Sequence, residues 1–244
     1  MNTQELNSNN AGNFLGDLEK TLIINNLMET PFAERDEKWR DDFLLSIAAA
    51  NLKLGNPEVI LSQDGFPYFQ LQTVAPGESF QAFVIQNQLP NILEKGFGVV
   101  INAEQEHPDW AFSYGDLVNY QLSGSFYAET SNFSSSTAYQ AVGKDEEVMV
   151  GQPSEEIFPN YLRLHIKEFL QYEGVKNPKI MLLARNVQDE LRASKDLVFN
   201  IIPAQFATEA DFQNIMNTLQ WFLPKHYTFF GIDEMTVENG FQSL

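Results

Sequence analysis

The sequence predicts an α+β protein in two parts: a mixed helix and sheet N-terminal domain, then a ferredoxin-like βαββαβ domain. Three observations predict it. Between Glu147 and Asp233, apolar runs and amphipathic segments alternate as strand, helix, strand, strand, helix, strand, which is the order of a split βαβ unit. Upstream, two helix-period segments lead into short runs of period two. Between these halves, over 123–146, serine, threonine and aromatic residues follow no period. The expected division is therefore a disordered, Asn-rich stretch at 1–13, an α+β domain at 14–122, a connection or long hairpin at 123–146, and the ferredoxin-like domain at 147–244.

The N-terminal elements follow from spacing and punctuation. Phe14, Leu15, Leu18 and Leu22 recur at helical intervals and predict a helix from about Phe14 to Glu29, ended before Pro31. Asp36 is a suitable cap for a second helix carrying Trp39, Phe43, Ile47, Ala50 and Leu54, with Gly55 placed to end it. The small residues Ala48 to Ala50 allow another backbone to approach closely. From Pro57 the period becomes two, and strands EVILS and YFQLQTVA are joined through Asp64 and Gly65. Ser79–Gln88 reads as a helix, which Pro90 kinks or restarts because proline lacks the amide donor and clashes with the preceding turn. GFGVVINA is a short buried strand. Trp110, Phe112 and Tyr114 alternate with small residues, as on a strand with three aromatics on one face, and Asp116 is placed to cap a short helix through Tyr120.

In the C-terminal half, Pro159 opens a helix with the stripe Leu162, Ile166, Phe169 and Leu170, ended by Gly174. Thr208 and Asp211 form a capping box for the second helix, and Pro224 stops it. Strands KIMLLARNV and LVFNII are apolar on both faces. Two helices cover only one of these, so Met181, Leu183, Val198 and Ile202 require a cover: the N-terminal domain, a second copy or a partner protein. Leaving them in water forgoes about 1.5–3 kcal/mol each.

Composition narrows the function. The 244 residues carry a net charge of −18. Neither half is basic: Lys and Arg number 6 against 17 Asp and Glu up to Leu122, and 9 against 16 beyond it. Phosphate backbones and anionic membranes are bound through cationic side chains, so nucleic acid and membrane are disfavoured as partners and a basic protein fits better. The absence of cysteine excludes disulfides, thiolate metal sites and cysteine nucleophiles. The polar opening MNTQELNSNNAGNF lacks a signal-peptide pattern, and no apolar run reaches the ~18 residues of a membrane span. A soluble cytoplasmic protein is expected.

Several stretches resemble the enhanced serine sensitivity, or SseB-like, family. In the first half these are NFLGDLEKTLIINNLMETPFAERDEKWRDDFLLSIAAANLKLG and LPNILEKGFGVVINAEQ. In the second half VMVGQPSEEIFPNYLRLHIKEFLQYEGVKNPKIMLLARN is similar, with its Gly-Gln-Pro and a proline opening the helix. The block from Pro108 to Lys144 departs from the pattern. The resemblance implies a soluble bacterial two-part α+β protein and supplies no catalytic residues.

The residues themselves offer few chemical constellations. Glu104, Glu106 and His107, with Asp109, are weak candidates for a divalent metal or an acid and base pair, set against an ordinary charged turn. No cofactor is expected. His165 and His226 read as structural, no serine sits in a nucleophile elbow, and no phosphate loop occurs. His107, Trp110, Phe112, Tyr114 and Tyr120, with Phe126 and Tyr127 nearby, are candidates for ligand or partner contact or for a packed hairpin. The expected function is a non-enzymatic interaction or accessory protein, self-associating or binding another protein through apolar sheet and aromatic surfaces. The alternative is a small-molecule binding protein or weakly marked enzyme with an interdomain pocket near Trp110 and His107.

Overall fold

The computed structural model describes residues 15–75, 77–104, 107–134, 148–185, 194–237 and 239–244. The Asn-rich 1–13 stretch, Glu106 and the second half of the connection expected at 123–146 lie outside the described residues. The protein is α+β: its described residues form six helices and two mixed sheets, and the chain divides into two compact units, 1–113 and 114–244.

The first unit opens with α1 (Leu18–Met28), capped by the Asp17 carboxylate, which accepts from Lys20 N–H. A 3-10 turn (Phe32–Glu34) leads to α2 (Glu37–Ser46), capped as expected by Asp36, which accepts from Trp39 N–H at 2.8 Å. The periodicity that predicts α2 out to Leu54 outruns the helix. Beyond Ser46, Asn51 turns its side chain to Gly16 N–H and the Thr21 hydroxyl, and Leu52 and Phe83 exchange backbone hydrogen bonds at 2.9 and 2.7 Å. These long-range bonds take up the groups that a continued helix would have used, and Gly55 falls within a strand.

That strand is β1 (Lys53–Leu61), antiparallel to β2 (Pro67–Gln72) across a turn in which Asp64 accepts Phe66 N–H and Gly65 adopts φ +85°. The helix predicted at 79–88 begins later, as α3 (Ile85–Glu94), and holds Pro90 inside it. One lost backbone bond is outweighed there by a stripe of Ile85, Leu89, Ile92 and Leu93, all buried. Helix α3 carries the chain over to β3 (Gly98–Ile101), parallel to β2, and β4 (Trp110–Phe112) runs antiparallel to β3, giving the order β1-β2-β3-β4.

The leucines that predicted the inner face of the first helix point outward. Leu15, Leu18 and Leu22 are 75%, 78% and 60% exposed. The inward row is instead Thr21, Ile24 and Met28, spaced by three and four residues, with the backbone of the cap residue Asp17 tied to the same side. Asp17 N–H donates to Ala49 carbonyl at 2.9 Å, Thr21 bonds Asn51, Ile24 is 1% exposed, and Met28 sulfur accepts from Asn102 at 3.6 Å. The Thr21 hydroxyl and the Met28 sulfur, each bonded to a distant asparagine, took the inner face beside Ile24, so hydrophobicity alone selected the wrong side.

The second unit begins with α4 (Tyr114–Ser123), so Tyr114 is the first residue of a helix and does not extend the Trp110 strand. Then follow β5 (Val148–Gly151), α5 (Asn160–Tyr172), β6 (Lys179–Arg185), β7 (Ser194–Phe199), α6 (Glu209–Phe222), β8 (Phe229–Gly231) and β9 (Gln242–Ser243). The capping box of Thr208 and Asp211 is formed, and Gly174 leaves α5 with φ +94°. The order of elements is that of βαββαβ, but the sheet runs β5-β6-β7-β8 in chain order, with β9 on β6. A split βαβ arrangement would need another strand between those flanking a crossover helix. Here β5 is paired to β6, and β8 takes the outer edge of β7 directly through the α6 crossover, leaving no edge of β7 for β5.

Candidate functional site

The surface that stands out is the outer face of α1, and it is held outward from both ends. At its start, Asp17 N–H meets Ala49 carbonyl, and a Cβ on Gly16 would collide with that same oxygen, so only glycine permits the approach. At its end, Trp39 Nε1 donates to Leu27 carbonyl at 2.8 Å. Turning the leucines inward would break these bonds together with the pair of Thr21 and Asn51. Phe32, 64% exposed, sits just past the C-terminal end of the helix. Scattered exposed leucines are ordinary; here Leu18 and Leu22 share the outer face of an anchored helix, with Leu15 just before its cap.

Beneath Phe32 lies a buried polar cluster. Arg35 Nη2 pairs with Asp109 Oδ1 at 2.6 Å, the two side chains being 10% and 2% exposed. Asn102 Nδ2 donates to the other Asp109 oxygen at 2.6 Å, while Asn102 Oδ1 accepts Thr73 N–H at 2.9 Å. Asn102 does this from the left-handed region at φ 53°, which asparagine tolerates better than most residues. The Arg35 guanidinium lies 4.4 Å from the Trp39 ring centroid, and its Nε donates to Thr30 carbonyl at 3.2 Å. The cluster ties the turn between α1 and α2 to the loop between β3 and β4.

The residues expected to form a site are dispersed by this arrangement. Asp109 faces the interior, whereas Glu104 and His107 are exposed, His107 with its ring 6.1 Å from Phe32. No group of three His, Cys, Asp or Glu side chains able to hold a metal occurs among the described residues. Trp110 and Phe112 join an aromatic row with Trp39 and Phe43: Phe43 lies 5.3 Å from Trp110 and stacks on Phe112 at 6.3 Å. Phe112 is fully buried and Trp110 half-buried.

In the second unit Tyr114 is fully buried, edge-on to His165 at 5.4 Å and stacked with Trp221 at 6.1 Å. Burial, and then the neighbouring Tyr161 hydroxyl, push its ionisation well above the ordinary phenol range. Tyr161 itself is pushed up to about 12 by burial and then by Glu155. Tyr120, raised by burial, stacks on Phe126 at 4.5 Å. These phenols stay protonated at physiological pH and serve as packing groups.

The sheet face flagged by its apolar residues is covered by the chain itself. Met181, Leu183 and Val198 are buried, with Val148, Phe230, Ile232, Val237 and Phe241 packed against them. Gly240 passes so close that an added Cβ would lie 2.8 Å from the Met181 sulfur. The strand β9 then pairs with Lys179 and Ile180, and Leu244 N–H donates to Pro178 carbonyl at 3.0 Å. Ile202 is half-buried outside this cluster.

Fold and surface together define an α+β protein with an exposed apolar helix face. Among the described residues, no helix is long and apolar enough to cross a membrane. No family model, no curated protein and no solved structure matches the chain.

Proposed function

We propose that this chain is a non-enzymatic protein-interaction or accessory protein of the SseB-like type, acting in the cytoplasm and associating through the outer face of α1. Exposed Leu18 and Leu22 on one face of an anchored helix, with exposed Leu15 just before its cap, carry the reading. The aromatic and sheet surfaces first considered for this role are engaged within their own units: Phe43 meets Trp110 and Phe112, and Phe241 lies against the cluster of Met181 and Val198. The stretch from Asn13 to Gly55 that resembles SseB-like proteins contains this helix, which fits the same assignment.

A photo-crosslinking amino acid at Leu18, compared with one at exposed Gln213 on α6, tests the proposal in cells. One dominant adduct from position 18 that is missing from position 213 is expected. Equal or absent labelling at both positions would refute an α1 interface.

A further inference from the structure

The charge around α1 names the chemistry of its partner. Between Asp17 and Asp42 the sequence holds eight Asp and Glu residues against four Lys and Arg. Three of those four cations are already engaged: Lys38 with Asp42, Arg40 with Glu37 and Asp41, and Arg35 with Asp109. Glu19, Glu29 and Glu34 are exposed and make no ion pair among the described residues. An apolar row is thus accompanied by carboxylates on its own helix and on the turn that follows it. Leu18 and Leu22 stand at i and i+4 on the helix, the spacing by which one helix packs along another, and exposed Leu15 precedes its cap.

We propose, building on the α1 interface above, that its occupant is a basic amphipathic helix of another protein. Leucine-type side chains of that helix lie along Leu15, Leu18 and Leu22, and its Lys or Arg residues meet Glu19, Glu29 and Glu34. The 11 residues of α1 span about 16 Å, so two to three turns of partner helix cover the row. An anionic membrane is opposed by the same carboxylates and by the net charge of −18. A second copy would bring its own acidic surface against this one in a two-fold pairing, which costs favourable electrostatics.

The test uses the full chain and three fluorescent peptides of about 18 residues, enough for five turns. One carries leucines at i, i+3, i+7, i+10 and i+14 with lysines on the flanks. The second has glutamates for the lysines, and the third is a scramble of the first. Binding is read by anisotropy, in parallel with vesicles containing phosphatidylserine and with light scattering of the protein alone. The basic helix is expected to bind at least about tenfold more tightly than either control and to weaken at high salt. Leu18→Glu with Leu22→Glu is expected to remove that preference without moving the thermal midpoint, and Leu18→Met with Leu22→Met to retain it. No binding of the basic helix at millimolar concentration, equal binding of the scramble, or binding unchanged in the double glutamate variant overturns the proposal. So does vesicle binding, or a leucine-dependent dimer. If crosslinking at Leu18 still captures a protein while the peptides are not discriminated, only the partner chemistry fails; if both experiments are negative, the interface fails as well.

Discussion

Asp109 shows how one side chain can fix the loop geometry of a unit. Its two oxygens are divided between Arg35 and Asn102, and all three groups are removed from water. A buried ion pair contributes little net stability when whole, because desolvation offsets the attraction, but removing one partner strands a buried charge. Asp109→Ala is therefore expected to cost about 3–5 kcal/mol in urea unfolding, with Asp109→Asn losing less because it keeps an acceptor for Asn102. A loss within the ±0.5 kcal/mol usual for surface sites would show that the cluster is not closed in solution. His226 gives a pH-dependent counterpart. Its ring faces Phe133 and Tyr227, and burial lowers its affinity for a proton below the ordinary value of 6.5. The folded state then binds fewer protons than the unfolded state just below that pH. The stability from this group is full above about pH 6.5 and falls as the solution is acidified through it. Unfolding measured from pH 7.5 down to 5.5 should therefore decline less steeply in His226→Gln than in the parent, and parallel curves would remove the histidine from the account.

At the scale of elements, α1 and the C-terminal strap teach opposite lessons about burial. The leucine row of α1 has the same spacing as a core stripe, and spacing carries no sign. The inward side was set by Thr21 reaching Asn51 and by Met28 reaching Asn102, partners far along the chain that no local window contains. The strap was foreseeable in part: apolar strand faces demanded a cover, but nothing local said that Val237 and Phe241 would supply it. Elements whose signals are local were legible, among them the Asp36 cap, the Thr208 capping box and the Asp64-Gly65 turn. Elements decided by distant pairing were not, as with the end of α2 at Ser46, ahead of the Asn51 contacts, and the late start of α3. Of the candidate site, the residues from His107 to Tyr120 were recognised as unusual for their aromatic density, but density alone does not separate packing from binding. Phe241→Ala should expose part of the cluster of Met181, Leu183 and Val198. It is expected to cost about 1.5–3 kcal/mol, somewhat less than a fully buried phenylalanine, and to raise binding of a hydrophobic dye. Unchanged stability and dye binding would mean that the strap is not seated.

On the scale of the whole molecule, the question is where one folding unit ends and the next begins. Composition places a boundary in the serine-rich block, yet the second compact unit starts at Tyr114 and includes α4. The physical reason is that α4 is a core element of that unit. Tyr114, Leu117 and Val118 are fully buried, Tyr114 against His165, Trp221 and Phe222. Gly115 meets the Leu223 carbonyl so closely that no side chain would fit, and buried Asp116 pairs with Lys225 at 3.4 Å. Burying three such apolar side chains is worth roughly 5–9 kcal/mol, comparable to the 5–15 kcal/mol stability of a whole domain. A fragment of residues 114–244 is accordingly expected to unfold in one cooperative urea transition with ordered aromatic circular dichroism. A fragment of 147–244, cut where composition alone suggests, should lack that cooperativity and bind hydrophobic dye, because α5 and α6 lose the face that α4 covers. Equal midpoints and slopes for the two fragments would show that α4 is dispensable and would move the boundary back into the serine-rich block.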